Sequence, residues 1–530
     1  MYDILIKNGR IAGGFNAPAF SGDVGIKNDR IIGIGSLGLG SSKTTIIDAK
    51  GKVVCPGFID IHSHSDFTIL VNPKAESKVR QGVTTEVCGN CGFSAAPQYQ
   101  QFKERIKKIC LEFEINYQWN SLKEYLEILE KTGIGVNFVP LIGQGNIRAS
   151  IVGYEDRRPT VREIDKMKKL VAICMEEGAF GLSTGLIYPP GCFSQTDELI
   201  ELCKVVAEFG GIYVSHLRSE GNKLVEAVRE AIDIGGMANV QKVHISHLKT
   251  ADKANWNKLE AVFEEIEKTL SLGISVTCDR YPYTAASTDL DVILPDWVYE
   301  GGIEKELERL KNPETRRKIS KEVLKSHHDH HYWNSIMIFS VKTQANKWME
   351  GKRISEIVET KKLLDPCEFV FSLLIEEEIK VEVILFGMSE DNLEKILKKP
   401  YTMIGSDASS RADYGILAQT RPHPRAFGTF PRVLAKYVRD EKVLTLEEAI
   451  YKMTYQSAQL LGIKDRGRLK EGNFADVVVF SPEKIKDLAT YESPQLYPAG
   501  IEYVIINGKI VIEKGNHTGV LAGKVIRKGR

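Results

Sequence analysis

Short apolar segments alternate with amphipathic stretches through residues 57–410, and this alternation narrows the choice of fold more than any other pattern in the chain. Eight apolar segments recur, most of them beginning with glycine: GFIDIHSH, GVTTEVCGN, GVNFVPLIG, GAFGLSTGL, GIYVSHLRSE, QKVHISHLK, GISVTCDRYPY and YTMIGSDASS. Stretches with helical periodicity, such as SLKEYLEILEKT, lie between them. Strand–helix alternation predicts an α/β fold with parallel strands and crossover helices. Eight such units close a (β/α)8 TIM-like barrel, and a doubly wound open sheet is the rival architecture.

The two ends of the chain have a different pattern, which predicts a small β domain built from both termini. Segments such as YDILIKNGRI and IEYVIINGKIVIEKG are rich in Ile and Val and are punctuated by Gly, Asn or Asp, as strands and tight turns require. We assign residues 1–56 and 463–530 to this domain, and residues 57–288 and 401–462 to the catalytic barrel. Residues 289–400 are too many for one crossover helix, so we interpret them as an insertion after strand 7 that forms a lid.

Charge and composition exclude several classes of function. Lys plus Arg is 71 and Asp plus Glu is 70, so the formal net charge of +1 gives no attraction to nucleic acid or to an anionic membrane. We find neither an apolar run of about 18 residues nor a signal-peptide pattern in MYDILIKNGRIAGG. Nine cysteines fit a reducing cytoplasm better than a disulfide framework. The expected partner is a small-molecule substrate.

Residues that can bind a metal ion follow five of the eight predicted strands. The candidates are His62 and His64 after strand 1, Cys88 and Cys91 after strand 2, His216 at strand 5, His247 at strand 6 and Asp407 at strand 8. Because the carboxyl ends of barrel strands meet at one rim, these side chains are expected to converge. Alternation along strand 1 also predicts that its two histidines face the same side. Any single histidine of this kind is more often structural, so the prediction rests on the whole set.

The types of donor indicate which metal to expect. Imidazole, thiolate and carboxylate together favour Zn²⁺ over Mg²⁺ or Ca²⁺, which prefer oxygen. Three protein ligands with an open position indicate a catalytic site. Two sets are predicted, namely His62, His64 and Asp407 for one ion, and Cys91, His216 and His247 for another. A ligand shared between the sets would bring two ions to about 3.5–4 Å.

Three other features could bind metal but are interpreted differently. Cys88 and Cys91 spell CxxC, as in a redox pair or half of a structural zinc site, but no second CxxC exists, so we interpret Cys88 as a buried packing residue. His244 is expected to face away from His247 and to be structural. The run SHHDHHYW is interpreted as a solvated loop of the insertion; its histidines are His327, His328, His330 and His331.

The motifs of this chain, taken together, resemble those of the N-acyl-D-amino-acid deacylases of the amidohydrolase superfamily. They are GFIDIHSHSD, GNCGFSAAP, GLIYPPG, VSHLRSEG, ISHLK, DRYPYTAAST, IGSD and HPRAFGTFPRVL. The resemblance runs nearly end to end, up to the closing GNHTGVLAGKVIR, whereas the HxH of strand 1 alone would indicate only the superfamily. It implies a barrel with a small β domain from both termini, in agreement with the pattern of segments.

The resemblance also implies how the metal ligands are shared out. Many members of the superfamily bridge their metals with a carboxylated lysine, whereas this family uses the cysteine of GNCG, which is Cys91 here. By the same mapping, His216 and His247 complete a tight zinc site. The remaining ligands, His62, His64 and Asp407, form a second, weaker site that need not be filled.

Catalytic and substrate-binding roles are implied in the same way. Asp407 is the expected acid and base, and Asp66 is an alternative that is also suited to orient a histidine. A product with a carboxylate calls for cationic and hydroxyl donors, of which Arg425 can bind it bidentately from what is expected to be a loop at the barrel mouth. The further donors implied by the motifs are Lys249, Tyr283, Tyr188 and Ser287.

The predicted reaction is zinc-dependent hydrolysis of the amide bond of N-acyl-D-amino acids, which releases a D-amino acid and a carboxylate. A dipeptidase acting on dipeptides with a C-terminal D residue is an alternative, since one carboxylate clamp could serve both substrates. A cyclic amidase of the hydantoinase or dihydroorotase type is another, although GNCG counts against it. A non-enzymatic scaffold would be expected to have lost ligands.

Overall fold

The structure is a computed structural model that describes residues 2–38, 40–326, 330–362 and 365–529. In chain order, the strands are β1 (Ile4–Ile11), β2 (Phe20–Lys27), β3 (Arg30–Gly35), β4 (Thr45–Asp48), β5 (Val53–Pro56), β6 (Phe58–Asp60), β7 (Val83–Cys88), β8 (Asn137–Pro140), β9 (Ile142–Gly143), β10 (Gly181–Gly185), β11 (Ile212–His216), β12 (Lys242–Ile245), β13 (Ser275–Arg280), β14 (Ala285–Asp289), β15 (Ile336–Val341), β16 (Val381–Phe386), β17 (Thr402–Ile404), β18 (Val477–Phe480), β19 (Ile501–Ile506), β20 (Lys509–Glu513) and β21 (Asn516–His517).

The α-helices, again in chain order, are α1 (Thr68–Val71), α2 (Glu76–Val79), α3 (Gln100–Glu112), α4 (Leu122–Thr132), α5 (Gln144–Ile151), α6 (Val161–Glu176), α7 (Thr196–Glu208), α8 (Leu224–Met237), α9 (Leu259–Ser271), α10 (Ile303–Lys311), α11 (Pro313–Ser326), α12 (His330–Ser335), α13 (Ile354–Thr360), α14 (Pro366–Glu376), α15 (Glu390–Lys398), α16 (Arg425–Arg432), α17 (Leu446–Met453) and α18 (Tyr455–Leu461). In the described part of the chain, we find no helix with both the length and the apolar character needed to cross a bilayer.

Helix α6 shows how the sequence specifies a crossover helix. Thr160 caps its first turn in a capping box with Glu163, which satisfies backbone N–H groups that have no partner inside the helix. Met167, Leu170, Val171 and Cys174 recur at helical spacing and are buried against the barrel. The chain then turns into β10 through Gly178, whose φ is 110°.

Eight parallel strands form the central barrel, and each predicted segment contains one of them. β6 pairs with β7, and β7 pairs with β8. The remaining barrel strands pair with one another in the order β9, β10, β11, β12, β13 and β17. The third strand is divided at Leu141 into β8 and β9. The ring closes where Ser63 forms a parallel bridge with Ala408 and the Asp407 N–H donates to the His62 carbonyl oxygen at 2.8 Å. The rival doubly wound open sheet is therefore wrong.

The β domain predicted from both termini is confirmed as one sheet. β5 pairs antiparallel with β18, and this pair joins strands β1 to β4 to strands β19 to β21. The apolar side chains that alternate along these strands, among them Ile6, Val24, Val477 and Ile505, form a core of their own. Because β6 begins two residues after β5 ends, the sheet leads directly into the first barrel strand.

The insertion between β13 and β17 carries a second small sheet and its own apolar core. β14, β16 and β15 pair antiparallel, and Leu290, Val298, Ile336 and Phe371 are buried among the surrounding helices. Its first strand begins at Ala285, before residue 289, and the predicted domain limits stay a prediction. The Trp256 indole N–H donates to the Gly387 carbonyl oxygen at 2.9 Å, which fastens the insertion to the barrel mouth.

Candidate metal centre

Four side chains from distant segments meet at the carboxyl end of the barrel. One donor atom from each of His62, Cys91, His247 and Asp407 lies within 4.8 Å of the others. The Cys91 Sγ is 3.3 Å from the His62 Nε2 and 3.6 Å from the His247 Nε2, and the His62 Nε2 is 3.4 Å from the Asp407 Oδ1. Nitrogen, sulfur and oxygen donors at these distances could surround one small cation.

The other two predicted ligands, His64 and His216, border this group. His64 Nε2 is 3.1 Å from the Asp407 Oδ1. The His216 ring packs on that of His247, with the centroids 4.5 Å apart. His216 is buried, and neither of its ring nitrogens has a hydrogen-bond partner among the residues that the structure describes. A buried imidazole without a partner is unfavourable, and a bound metal ion would supply the missing partner.

Backbone geometry aims three of these ligands. Cys91, His247 and Asp407 each follow a barrel strand and have φ values of 52°, 33° and 50°. These values lie in the left-handed region, which residues other than glycine rarely adopt. Such residues cost of order 1–3 kcal/mol each and persist where the surrounding structure holds them. A Cβ at Gly185, the last residue of β10, would lie 2.1 Å from the Cys91 carbonyl oxygen, so glycine there lets the cysteine loop pack closely.

The strand-1 histidines converge for a different reason from the predicted one. β6 ends at Asp60, before His62, so alternation along the strand does not place the two rings. The Asp60 Oδ1 accepts a hydrogen bond from the His62 N–H at 3.3 Å, and the His64 N–H donates to the Ala408 carbonyl oxygen at 3.2 Å. Pairing with the end of strand 8 therefore holds both histidines toward the cluster.

Charges within the cluster favour the ionised forms of its thiol and its carboxylate, which are the forms in which these two groups bind metal. Burial opposes ionisation of Cys91, but the positive charge on His62 and the contacts of the sulfur with the His62 and His247 rings hold the thiol pKa well below its usual value. Burial likewise disfavours the Asp407 carboxylate, but Arg425 and the histidines hold its pKa well below the ordinary range. A thiolate and a carboxylate among imidazoles form the donor set that borderline metals such as zinc prefer.

Asp279 orients His62 from behind. Its Oδ2 lies 3.0 Å from the His62 Nδ1 and 3.0 Å from the His244 Nε2, while the His244 Nδ1 is 2.8 Å from the Thr277 hydroxyl. The His62 Nε2 is thereby left to face the cluster, the arrangement in which carboxylates orient metal-binding histidines. His244 acts through Asp279, so it is structural as predicted, although it faces the barrel interior.

Asp66 does not orient a histidine, so that interpretation is wrong. Its two oxygens accept hydrogen bonds from the backbone N–H groups of Gly89 and Ala95, at 3.2 Å each. Asp66 therefore shapes the loop that carries Cys91.

Asp279→Asn is expected to lower the zinc affinity of the site that includes His62 about 10–100-fold, because the amide loses the charge that fixes the His62 tautomer. Chelator competition against the wild-type protein measures the change. Unchanged affinity would contradict the orienting role of Asp279.

Arg425 lies beside the cluster, as predicted, but begins a helix where a loop was expected. Its Nη1 is 2.9 Å from the Asp407 Oδ2, and its guanidinium lies 4.7 Å from the centroid of the Tyr281 ring. Helix α16 contains Pro431 and continues as a π-helical segment through 433–440, which explains why helical periodicity is not visible in the sequence. A Cβ at Gly428 would lie 2.6 Å from the Tyr283 hydroxyl oxygen, so packing requires this glycine.

The other predicted substrate donors lie at different depths. The Lys249 Nζ is 2.8 Å from the His247 Nδ1 and forms a short ion pair with Glu220. The Tyr188 ring packs edge-on against His216, and its hydroxyl lies 3.3 Å from that of Thr288 on the lid strand β14. Ser287, on the same strand, is half-buried. The Tyr283 hydroxyl lies behind α16, 3.5 Å from the Pro424 carbonyl oxygen.

Besides Asp279, two residues that contact this site were assigned no role from the sequence. Glu220 lies 3.1 Å from the His247 Nδ1, and Tyr281 packs under Arg425. Both lie in motifs quoted above, VSHLRSEG and DRYPYTAAST. Their closeness in sequence to predicted site residues was therefore the signal that could have identified them.

The competing metal-binding interpretations find little support. Cys88 is buried in the barrel core, and burial raises the pKa of its thiol well above the usual value. Cys88 and Cys91 are both free thiols. In the run of insertion histidines, His327 and His328 lie outside the described residues.

Comparison with known proteins agrees with this geometry. The Amidohydrolase family matches residues 45–104 and 391–512. A D-aminoacylase from Alcaligenes xylosoxydans xylosoxydans is 34% identical over 99% of this chain and 98% of its own. The crystal structure of an N-acyl-D-glutamate deacylase from Bordetella bronchiseptica, complexed with zinc and a phosphonate mimic of the tetrahedral intermediate, has 31% identity, 99% coverage of both chains and a TM-score of 0.82.

A D-aminoacylase structure concerned with the role of its binuclear metal centre has 33% identity, 100% coverage of both chains and a TM-score of 0.83. The D-hydantoinase fold is also similar, at 15% identity and a TM-score of 0.56. Sequence identity of 34% over nearly the full length, together with the shared fold, places this chain in the N-acyl-D-amino-acid deacylase (D-aminoacylase) family of the amidohydrolases.

Proposed function

We propose that this protein is a zinc-dependent hydrolase that cleaves the amide bond of N-acyl-D-amino acids, releasing a D-amino acid and a carboxylate. The observation that carries the proposal is the convergence of Cys91, His247, His62 and Asp407 within 4.8 Å, beside the buried Arg425. The full-length relatives named D-aminoacylase and N-acyl-D-glutamate deacylase support the substrate class.

The donor set fits zinc. We assign a tight site to Cys91, His216 and His247, because the thiol pKa is lowered and the His216 nitrogens have no hydrogen-bond partner among the described residues. A second, weaker site falls to His62, His64 and Asp407, which meet at the Asp407 carboxylate. Zinc, when bound, supplies Lewis acidity that polarises the scissile carbonyl and makes a water molecule acidic enough to react near neutral pH.

Asp407 is the proton carrier in this proposal. Asp407 is a carboxylate at neutral pH, the form that can accept a proton from the attacking water, and Arg425 and the histidines stabilise this form. Asp407, now protonated, then donates that proton to the departing nitrogen. Without this proton the nitrogen would be a poor leaving group. Contacts with His64 and Arg425 hold the carboxylate in one position, which removes the need to reorient it during the reaction.

Arg425 is suited to bind the substrate carboxylate. Its Nη1 faces Asp407, and its buried Nε has no hydrogen-bond partner among the residues that the structure describes. A buried donor in this state favours an incoming carboxylate, which guanidinium groups bind bidentately. Lys249, Tyr188 and Ser287 are proposed as further donors along the cleft, and Tyr283 as a residue that supports the helix of Arg425.

The test compares the purified protein on N-acetyl-D-methionine and its L-enantiomer, with release of free amino acid as the readout. We expect hydrolysis of the D form. Cleavage of the L form alone would overturn the proposal.

Arg425→Gln is expected to raise the KM for N-acetyl-D-methionine about 10–100-fold, the range for one lost charge-assisted hydrogen bond. Arg432→Gln is the matched control, because Arg432 ends the same helix and pairs with Asp487 at 2.8 Å. Its KM should stay near that of the wild type. Equal KM values for both variants would refute the role of Arg425 in binding.

We further propose that the enzyme acts in the cytoplasm on a small-molecule substrate. All nine cysteines are free thiols, and six of them are buried, which suits a reducing compartment.

A further inference from the structure

A fully buried lysine next to the metal centre has no part in the mechanism above. The side chain of Lys78, on α2, is completely inaccessible to solvent. Four oxygens lie within hydrogen-bond distance of its Nζ and share its three N–H donors, namely those of Asp60 at 2.6 Å, Ser63 at 3.1 Å, Ser406 at 2.8 Å and the Ala408 carbonyl at 2.8 Å. Glu86 on β7 lies 3.4 Å away. Burying an ammonium group is costly unless it is paired and hydrogen-bonded, as it is here.

These contacts span the seam at which the barrel closes. Asp60 ends β6 and Ser63 follows it, Glu86 lies on β7, and Ser406 and Ala408 follow β17. The Ser406 hydroxyl and N–H both donate to Asp60, at 2.6 Å and 2.8 Å. One compact ammonium with several donors therefore fastens strands 1, 2 and 8 together at their carboxyl ends.

Asp407 lies between the two strand-8 residues that Lys78 holds. Its φ of 50° is unfavourable for a residue other than glycine. Lys78 binds the residue before it, Ser406, through the hydroxyl, and the residue after it, Ala408, through the carbonyl. Strained backbone persists only where its neighbours are fixed, and here a single cation fixes both of them.

We infer that Lys78 is a positioning residue for the hydrolysis: it maintains the left-handed conformation of Asp407 and so aims that carboxylate at the cluster. The inference rests on the proposed function, since it assigns Lys78 to the proton-transfer step. Lys78 touches neither substrate nor metal in this role. Its loss should therefore lower kcat while leaving KM and the tight zinc site unchanged.

Lys78→Met keeps the length of the side chain and removes its charge and donors. Lys452→Met is the matched control, because Lys452 is also buried and donates to the carbonyl oxygens of Lys399 and Thr402 at the opposite end of the same strand. We expect Lys78→Met to lower kcat about 10–100-fold with KM and bound zinc near wild type, and Lys452→Met to change kcat less than about threefold. Wild-type kcat in Lys78→Met, or equal losses of kcat in both variants, would overturn the inference.

A crystal structure of Lys78→Met gives a readout that does not depend on activity. We expect Asp407 to leave its left-handed conformation and its Oδ1 to move away from the His64 Nε2, and an unmoved Asp407 would overturn the inference. If Lys78→Met does not fold, Ser406→Ala replaces it in both measurements, with an expected loss of kcat of about 3–10-fold. A wild-type protein that hydrolyses no N-acyl-D-amino acid would refute the proposed function, whereas the crystallographic comparison would still decide the role of Lys78.

Discussion

Cys91→Ala is expected to abolish tight zinc binding and hydrolysis together, with kcat/KM at least about 10³-fold below wild type because the Lewis acid is lost. The thiol lies at the centre of the imidazole group, 3.3 Å from the His62 Nε2 and 3.6 Å from the His247 Nε2. The histidines hold its pKa well below the usual value, so it is present as the thiolate that zinc requires. Two neutral imidazoles alone would be a weak site.

Metal analysis after dialysis and the rate of N-acetyl-D-methionine hydrolysis measure the two losses. Cys88→Ala is the matched control, since Cys88 ends β7, is fully buried and precedes the same loop. It should retain zinc and activity and lose about 1–2 kcal/mol of unfolding free energy from the cavity it leaves. Stoichiometric zinc in Cys91→Ala would refute the role of this cysteine as a ligand.

Asp407→Asn is expected to lower kcat about 10²–10⁴-fold, the usual contribution of a general acid–base group. The amide can accept no proton from water, yet it is close in size to the carboxylate. The proposed tight site at Cys91, His216 and His247 does not include Asp407, so zinc should be retained at one ion per chain. A large loss of rate with retained metal would separate proton transfer from metal binding.

Asp66→Asn is the matched control, because Asp66 is the other acid considered for proton transfer. It bonds to the backbone N–H groups of Gly89 and Ala95. We expect its kcat to stay within about tenfold of wild type, since it is not placed to reach the reacting atoms. If Asp66→Asn proved the more damaging of the two, the assignment of Asp407 would be wrong.

The barrel could be predicted because its signals are local. A buried parallel strand appears as a short apolar run, and the preceding glycine marks the turn from a helix, so all eight strands were recognised. The residues beyond those strands share one rim in any closed barrel. The metal-binding candidates therefore followed from the fold together with residue type.

The supporting contacts could not be predicted because they join residues that are far apart in the sequence. His62 and Asp279 are separated by 217 residues, and their bond depends on the stagger of strands 1 and 7. Lys78 resembles any other lysine in the sequence, since nothing local indicates that its ammonium is buried. The left-handed φ values at His247 and Asp407 are likewise imposed by tertiary packing on residues whose own preferences oppose them.

The pairing of β5 with β18 has a consequence for how this protein is made. The partner of the strand at 53–56 is at 477–480, so the ribosome must synthesise about nine-tenths of the chain before the two can meet. Until then, the amino-terminal strands emerge with an open, apolar edge, which invites aggregation. Folding of the terminal sheet is therefore completed only at the end of translation, and a carboxyl-terminal deletion that reaches residue 477 would expose that edge permanently.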